Sequence, residues 1–532
     1  MAQYGYKADV DGFDTTIPGE GRQLLRNVTF KVGPPDGDAI VVMAHRDDTG
    51  LGPGANDNAS GTAALIELAR AYGTVPGSPV QAVRPQHRLI FLSTDGGSFG
   101  GVGALRYVTH APDRERIVAV INLDSIAGRG QPRLEIAGDE ARSPAPALVE
   151  TAAARIVEQS GSAPGRTSAL GQLTDLGLPF SLYEQAPFVG RGIPAVTITT
   201  GGNRPPSSFG DVPEGLSKKR LTEIGRAAQG LLGSLDEGLE LARGTRSYVY
   251  LGQRIVRGWA IQLVLVAMLL PFAAAAVDLF ARCRRRRIAV APGLRAYRSR
   301  AGIWLWAGAL FLLFGLIGAW PGGAARPVSP ETAAAGDWPF LALLGLLVLT
   351  LPGWLVARAR LAPPRPSTAE EELAGHSATM LVLGVVALLV VATNTFALLF
   401  LLPSLHVWLW LPHLRDRGVG ARLGLLAAGA LGPFILVGSF MFRFGLGLDA
   451  PWYLAELVSL GYVSIVAFFL ALCWLAGAAQ LTAIAIGRYR PYPSAAERPP
   501  RGPIRNTVRA IVLTLQARRR RAAVDEREAM EA

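Results

Sequence analysis

The chain has 532 residues, which is enough for two or more domains, and half of its residues are hydrophobic. Its mean hydropathy of +0.28 is high for a soluble protein, and the excess lies after residue 258, which argues against a wholly soluble chain. The formal net charge is +12, but much of it lies in arginine clusters beside apolar stretches, at Arg284 to Arg287 and at Arg518 to Arg521. Such clusters mark the cytoplasmic side of a membrane, so we predict no nucleic-acid partner.

Short apolar runs alternate with helical patterns along the first 245 residues. The predicted strands are 27–33, 39–45, 88–94, 117–124, 132–138 and 193–199. The predicted helices are 60–73, 99–109, 145–160 and 217–242. Nearly continuous apolar strands separated by helices are typical of an α/β fold, in which a mixed, mostly parallel sheet is sandwiched by helices. Both cysteines, Cys283 and Cys473, lie later in the chain, so this part holds no disulfide.

Polar side chains stand where the predicted strands end. His45 and Asp47 end the second strand, Asp95 follows the third and Asp124 follows the fourth. Ligands gather beyond the carboxyl ends of parallel strands, and histidine with aspartate is a ligand set for zinc or another divalent ion. Any one of these aspartates is explained more simply as a cap or turn residue. The four together predict a metal site.

Long apolar stretches dominate the second half of the chain. A helix needs about 20 apolar residues to cross a bilayer, and seven stretches approach that length. They are 259–280, 302–320, 338–357, 378–394, 396–412, 423–442 and 460–486. We therefore predict an extracytoplasmic α/β domain over 1–245, an all-α transmembrane region of about seven helices over 246–487, and a basic cytoplasmic tail over 488–532.

Arginine placement predicts the orientation of these helices. Arginines follow the first, third and fifth stretches, whereas the loop 321–337 has only Arg326 and the loop 443–459 only Arg443. This asymmetry predicts a multi-pass protein of the cell membrane, with its first domain outside and its tail in the cytoplasm. The first residues contain no apolar signal. Either the first stretch acts as a reversed anchor or a further span precedes residue 1, and we favour the second interpretation.

One group of motifs resembles a known family. The motif His45-x-Asp47, the segment PGANDNASG at 53–61 and a strand that ends in NLD at 122–124 resemble the co-catalytic zinc aminopeptidases of peptidase family M28. Glutaminyl cyclases and the nicastrin and transferrin-receptor ectodomains are related to that family. The resemblance covers about residues 1 to 240 and implies an aminopeptidase-like fold.

The resemblance implies a role for each of four residues. Asp57 would bridge two zinc ions and precede a cis peptide bond to Asn58. His45 and Asp124 would complete the site of one ion. Asp47 would orient the ring of His45.

The positions that serve the other ion depart from the family pattern. Gly97 stands where the family has its general base, and Ser98 and Ser207 stand at two ligand positions. A family S-D-H segment is Y-E-Q here, at 183–185. The departures remove the general base and the ligands that serve only one of the two ions. They leave a complete set of ligands for the other ion.

Three functions remain open at this point. The first is a catalytically inert or weakly active domain that binds a peptide or protein. The second is an active membrane-bound metallo-aminopeptidase that uses a single ion, with Glu184 as a substitute base. The third is a transporter regulated by its outer domain, which rests only on the number of spans. The oligomeric state is left open, and the first function is the one we favour.

Overall fold

The structure of the protein is a computed structural model. It describes residues 1–74, 83–238, 244–327, 329–361, 366–489, 512–514 and 516. Most of the predicted cytoplasmic tail, including Arg518 to Arg521, lies outside the described residues.

A mixed seven-stranded sheet forms the centre of the amino-terminal part. Its strands are β1 (Asp9–Ile17), β2 (Gly21–Val32), β3 (Ala39–His45), β4 (Arg88–Thr94), β5 (Ile117–Leu123), β6 (Arg133–Glu135) and β7 (Ala195–Thr199). The order across the sheet is β1-β2-β4-β3-β5-β7-β6. The four central strands β4, β3, β5 and β7 are parallel, and β1, β2 and β6 are antiparallel to their neighbours. The mixed, mostly parallel sheet is confirmed.

Helices cover both faces of this sheet because its central strands are apolar on both faces. The helices are α1 (Gly61–Tyr72), α2 (Val102–His110), α3 (Pro146–Ser160), α4 (Ala169–Gly177), α5 (Ala186–Gly190) and α6 (Lys218–Asp236). Ile40 and Val42 of β3 share a core with α1, α3 and α6, whereas Val41 and Met43 share a core with α2 and α5. Burial of alternate residues on opposite faces produces the predicted sandwich.

Prediction was accurate for the buried strands and poor for the edges. Strands β3 and β4 span the predicted residues, whereas the edge strand β1 and the hairpin of β8 (Tyr248–Leu251) and β9 (Arg254–Arg257) were missed. Five of the nine residues of β1 are exposed, so it lacks the apolar run that marks a central strand. The short helices α4 and α5 were also missed, because one or two helical turns leave little periodicity.

The rest of the described chain is helical. The helices are α7 (Gly258–Ala267), α8 (Leu269–Arg285), α9 (Ala291–Leu316), α10 (Ala333–Gly336), α11 (Phe340–Leu361), α12 (Ala369–Asn394), α13 (Leu398–Val407), α14 (Val419–Gly429), α15 (Leu431–Gly438), α16 (Ala450–Ser459) and α17 (Ile465–Ala485). Among the described residues, five helices are long and apolar enough to cross a membrane, or six if the bent pair that begins at Val419 forms one span.

One of these five is the run Ala369–Leu414, which contains two of the predicted stretches. The run folds back on itself, because His376 near its start lies 3.0 Å, through Nε2, from the carbonyl oxygen of Trp408 near its end. Asn394 lies at the bend. The prediction of about seven spans and the predicted domain boundaries stay predictions.

Polar contacts join one end of the helical region to the α/β part. The guanidinium of Arg443 donates two hydrogen bonds of 2.6 Å to the carboxylate of Asp175. Asn394, at the bend after α12, donates to the carbonyl oxygen of Leu176 at 2.8 Å. Arg326 pairs with Asp139. Both lone arginines of the two Lys/Arg-poor loops therefore bind the α/β part.

An aromatic contact lies beside these polar ones. Phe180, which follows α4, is surrounded edge-on by Phe440, Phe444, Tyr453 and Tyr462, with ring centroids 4.8 to 6.1 Å apart. Phe180 is 1% exposed. Burial of a large aromatic side chain together with ion pairs fixes the two parts against each other.

This junction predicts a loss of stability in the Arg443→Ala variant. Removal of the guanidinium leaves the carboxylate of Asp175 buried and unpaired, which typically costs about 3 to 5 kcal/mol. We expect a clearly lower thermal unfolding midpoint of the full chain in detergent. Arg22→Ala removes an exposed pair with Asp14 and should cost less than about 1 kcal/mol. Equal midpoints for the two variants would contradict this account.

Candidate metal centre

The sheet and one loop bring three metal-ligating side chains together. His45 ends β3, and Asp124 follows the last residue of β5, its parallel neighbour. Asp57 comes from the loop that precedes α1. Because the carboxyl ends of neighbouring parallel strands meet at one edge of a sheet, the first two side chains lie side by side.

The three side chains are buried and close. Nε2 of His45 lies 3.1 Å from Oδ1 of Asp57 and 3.6 Å from Oδ2 of Asp124. One ligand atom from each residue lies within 4.8 Å of the others, which is a spacing that can hold a metal ion. All three residues are at most 5% exposed.

The loop that carries Asp57 is held by hydrogen bonds on both sides. The carboxylate of Asp211 accepts from the backbone nitrogens of Asn56 and Asp57 at 2.8 to 2.9 Å. The side chain of Asn58 donates to the carbonyl oxygen of Leu123 and accepts from the backbone nitrogen of Ser125. The peptide bond between Asp57 and Asn58 is cis. The loop is thus fixed to the end of β5.

Asp47 orients the ring of His45. Nδ1 of His45 lies 3.0 Å from the carbonyl oxygen of Asp47 and 3.5 Å from its carboxylate. A ring that donates from Nδ1 presents the lone pair of Nε2 to a metal ion. This arrangement agrees with the role that the sequence resemblance implies for Asp47.

The electrostatics of the group favour a cation. Burial, together with the neighbouring carboxylate of Asp124, raises the pKa of Asp57 to about 6, against the effect of His45. Burial lowers the pKa of His45, but the neighbouring side chains of Asp124, Asp47 and Asp57 outweigh it and raise that pKa well above its ordinary value. Oδ1 of Asp57 is buried, and among the described residues no donor reaches it in hydrogen-bonding geometry, although Nε2 of His45 lies close by. A divalent cation would satisfy this oxygen and offset the buried negative charge, so the residues fit a metal ion.

A comparison of the sequence with known families agrees with this geometry. Residues 27–228 match the model of peptidase family M28. These residues form an M28 peptidase domain. The match contains all three side chains of the metal group and the strands β3 and β5, whose ends carry His45 and Asp124.

Relatives of the M28 domain include receptors and enzymes. Transferrin receptor protein 2 of Rattus norvegicus is 30% identical over 135 residues, which are 20% of this chain and 16% of that protein. Aminopeptidase YwaD of Bacillus subtilis (strain 168) is 33% identical over 91 residues, which are 17% of this chain and 18% of that protein. The chain thus matches less than a fifth of the length of these curated relatives. A solved zinc aminopeptidase from Bacillus subtilis is 22% identical, with a TM-score of 0.32, over 40% of this chain and 50% of that one.

The segment that carries Gly97 and Ser98 folds onto Asp47. The backbone nitrogens of Gly97 and Ser98 donate to the two carboxylate oxygens of Asp47 at 2.9 and 3.0 Å. The hydroxyl of Ser98 donates to the carbonyl oxygen of Asp47 at 3.1 Å. A Cβ atom at position 97 would overlap the ring of His45. Only glycine fits this backbone path, so position 97 has no room for a side chain that serves as a base.

The other polar residues singled out from the sequence lie outside the metal group. Ser207 is exposed, and its hydroxyl accepts from the backbone nitrogen of Phe209. The carboxylate of Asp95 pairs with Arg46 at 3.0 Å, so the expectation that it joins the other three was wrong. Arg46 follows β3, whereas Asp95 follows the neighbouring parallel strand β4, and spacing along the sequence does not indicate this pairing.

Glu184 lies behind the site. It is 1% exposed, and its Oε2 accepts a hydrogen bond of 2.9 Å from the hydroxyl of Thr94. Its Oε1 has no hydrogen-bond partner in the part of the chain that the structure describes. Burial raises the pKa of Glu184 to about 7, against the effects of His45 and the Thr94 hydrogen bond. Glu184 is therefore withdrawn from the surface that a ligand would contact.

Two features of the site had no sequence-based prediction. Asp211 holds the loop of Asp57, and its place in the sequence gives no indication of this contact. The cleft beside the metal group, which His45, Asp57 and Gly97 line on one side, is lined on the other by 329–331 from the helical region. Because more than 200 residues separate 329–331 from Gly97, the sequence alone does not indicate this contact.

The metal group predicts one bound divalent ion per chain. Asp57→Ala removes a ligand from the centre of the group, so we expect the variant to lose most of its bound metal after purification. Asp95→Ala, a matched change at a neighbouring strand end, should keep the metal. Elemental analysis of the full chain after zinc loading and gel filtration measures both. Equal metal content in the two variants would contradict the assignment of Asp57.

The fit around Gly97 predicts that a glutamate at this position would not provide a working general base. Gly97→Glu places a side chain against the ring of His45, and overpacking of this kind typically costs about 1 to 3 kcal/mol. We expect a lower unfolding midpoint, less bound metal and no gain in peptidase turnover. Gly12→Glu is the control, because a Cβ atom there meets nothing within 4 Å. Turnover in Gly97→Glu would show that position 97 can still carry a base.

Proposed function

We propose that the M28 domain holds one zinc ion, or another divalent ion, and acts by binding a peptide or protein segment rather than by hydrolysing it. The fit of Gly97 against His45 carries this proposal. Hydrolysis at a metal needs a group that takes the proton of the attacking water. Position 97 has neither a carboxylate nor the room for one.

His45, Asp57 and Asp124 would hold this ion. When bound, it would supply a Lewis acid that attracts a carbonyl or carboxylate oxygen of the bound segment. Asp47 would keep the ring of His45 in place, and Asp211 would keep the loop of Asp57 in place. Ser98 and Ser207 offer no carboxylate or imidazole for a second ion.

The alternative is an active aminopeptidase that uses a single ion. The complete ligand set for one ion and the similarity to Aminopeptidase YwaD favour it. Such an enzyme would need Glu184 as its base, and Glu184 would have to leave its hydrogen bond with Thr94 to reach a bound water. The inert or weakly active function needs no such movement.

We further propose that this domain lies outside the cell and that the tail lies in the cytoplasm. Arg326 and Arg443, the lone arginines of the two Lys/Arg-poor loops, both pair with carboxylates of the M28 domain. The domain therefore lies at the end of the helical region that is poor in positive charge. By the positive-inside rule, that end faces away from the cytoplasm.

Turnover of the zinc-loaded full chain tests the proposed function. Loss of a general base typically costs about 10² to 10⁴ in rate, so we expect aminoacyl-anilide hydrolysis at or near the rate of Asp57→Ala. Glu184→Gln should leave the rate of aminoacyl-anilide hydrolysis unchanged. Metal-dependent turnover that both variants abolish would overturn the proposal and establish the aminopeptidase alternative.

A further inference from the structure

We propose that the segment held in the M28 cleft is the chain's own loop between α9 and α11. This connecting loop comprises the described residues 321–327 and 329–332. The inference rests on the proposed function, since it names the polypeptide that the cleft binds. The connecting loop docks the helical region onto the cleft and blocks other ligands from reaching the ion.

Arg326 anchors the connecting loop. Its side chain is 1% exposed, although arginine is almost never fully buried without partners. It pairs with Asp139, donates from Nε to the carbonyl oxygen of Gly100 at 2.6 Å, and extends Nη2 towards the carbonyl oxygen of Ser181. Its partners lie on the segments that follow β4 and β6 and on the segment before Glu184. One side chain therefore joins three segments of the M28 domain, and one of them, at Gly100, lines the cleft.

The backbone of the connecting loop also fits one wall of the cleft closely. Gly100 has a φ of +85°, and a Cβ atom there would overlap the carbonyl oxygen of Pro327. The wall in question is the segment 96–101, which also contains Gly97. Two backbones approach this closely only where a residue lacks a side chain. The glycines of this segment therefore serve two contacts, with His45 on one side and with the loop on the other.

The second half of the connecting loop reaches the opposite wall. Glu331 accepts, through Oε2, a hydrogen bond of 2.7 Å from the backbone nitrogen of Ser208. Ser208 follows Ser207, which stands at a ligand position of the family. Residues 329–331 line the cleft together with His45 and Asp57. The loop thus contacts both walls of the cleft in front of the metal group.

The start of the connecting loop is also fixed by hydrogen bonds. Before the loop, Trp320 is 2% exposed and donates from Nε1 to the carbonyl oxygen of Phe311. The backbone nitrogen of Ala324 donates to the carbonyl oxygen of Thr16 at 2.9 Å, at the end of β1. A loop tied at its start, in its middle and at Glu331 occupies a defined path. An external peptide would reach the ion only after Arg326 is released.

Thiol labelling of the full chain in detergent tests this inference. The reporter is Ser98→Cys in a chain in which Cys283 and Cys473 are replaced by alanine, and the probe is a bulky water-soluble maleimide. We expect Arg326→Ala to accelerate labelling roughly tenfold or more, since losing a hydrogen bond to a charged group typically shifts an equilibrium by that factor. Glu331→Gln should accelerate it by a smaller factor, because its amide oxygen still accepts from Ser208.

Arg443→Ala is the matched control, because it removes another buried arginine between the two parts whose partners, Gly171 and Asp175, lie on α4 and not on the segment 96–101, so it separates a general loss of stability from release of the loop. Its labelling rate should stay near that of the unchanged background. Equal acceleration by Arg443→Ala, or none by Arg326→Ala, would overturn the proposal. If Arg326→Ala does not fold, the rate for Glu331→Gln decides in the same way. The zinc content of the unchanged chain separates the two proposals. A chain that retains no zinc after loading refutes the proposed function, whereas the labelling rates still decide whether the loop occupies the cleft.

Discussion

Burial of negative charge around one histidine is the constraint on which the site depends. Asp57 and Asp124 approach Nε2 of His45, and the Asp47 carboxylate lies beside Nδ1, all away from solvent. Such a cluster costs folding energy unless positive charge compensates it. The surrounding chain meets this constraint in two ways. Backbone nitrogens of Gly97 and Ser98 satisfy Asp47, and Oδ1 of Asp57, which no donor of the described residues satisfies, remains for a cation.

Sequence reasoning succeeded where the physical signal is local. Buried strands such as β3 are unbroken apolar runs, and the residues that end them must meet at one edge of a parallel sheet, so His45 and Asp124 could be placed together. Sequence reasoning failed where the interacting residue is distant in the sequence. Nothing near Asp95 indicates its pairing with Arg46, and nothing near Arg326 indicates the carboxylate of Asp139. The overlap of position 97 with His45 depends on the path of two loops, which composition does not determine.

Arg326 and Arg443 connect the Lys/Arg distribution of the loops with the contact between the helical region and the M28 domain. The positive-inside rule predicts few positive residues in the loops that face away from the cytoplasm, which is the side we propose for the loops of Arg326 and Arg443. Arg326 and Arg443 are both nearly buried, and each meets a carboxylate of the M28 domain. Loss of either carboxylate would therefore strand a positive charge at the junction. The departure from the family pattern at Gly97 and the contact of Pro327 with Gly100 thus lie on one segment, 96–101.

The passage from sheet to helix has a mechanical consequence. Strand β9 ends at Arg257 and α7 begins at Gly258, so no linker separates the hairpin from the first apolar helix. The hairpin is in turn tied to the M28 domain, because the backbone nitrogen of Tyr250 donates to Gln172 of α4 at 2.8 Å. Any change in the direction of α7 would therefore be transmitted to the M28 domain through the hairpin. The orientation of the first apolar helix and that of the domain are coupled by this direct connection.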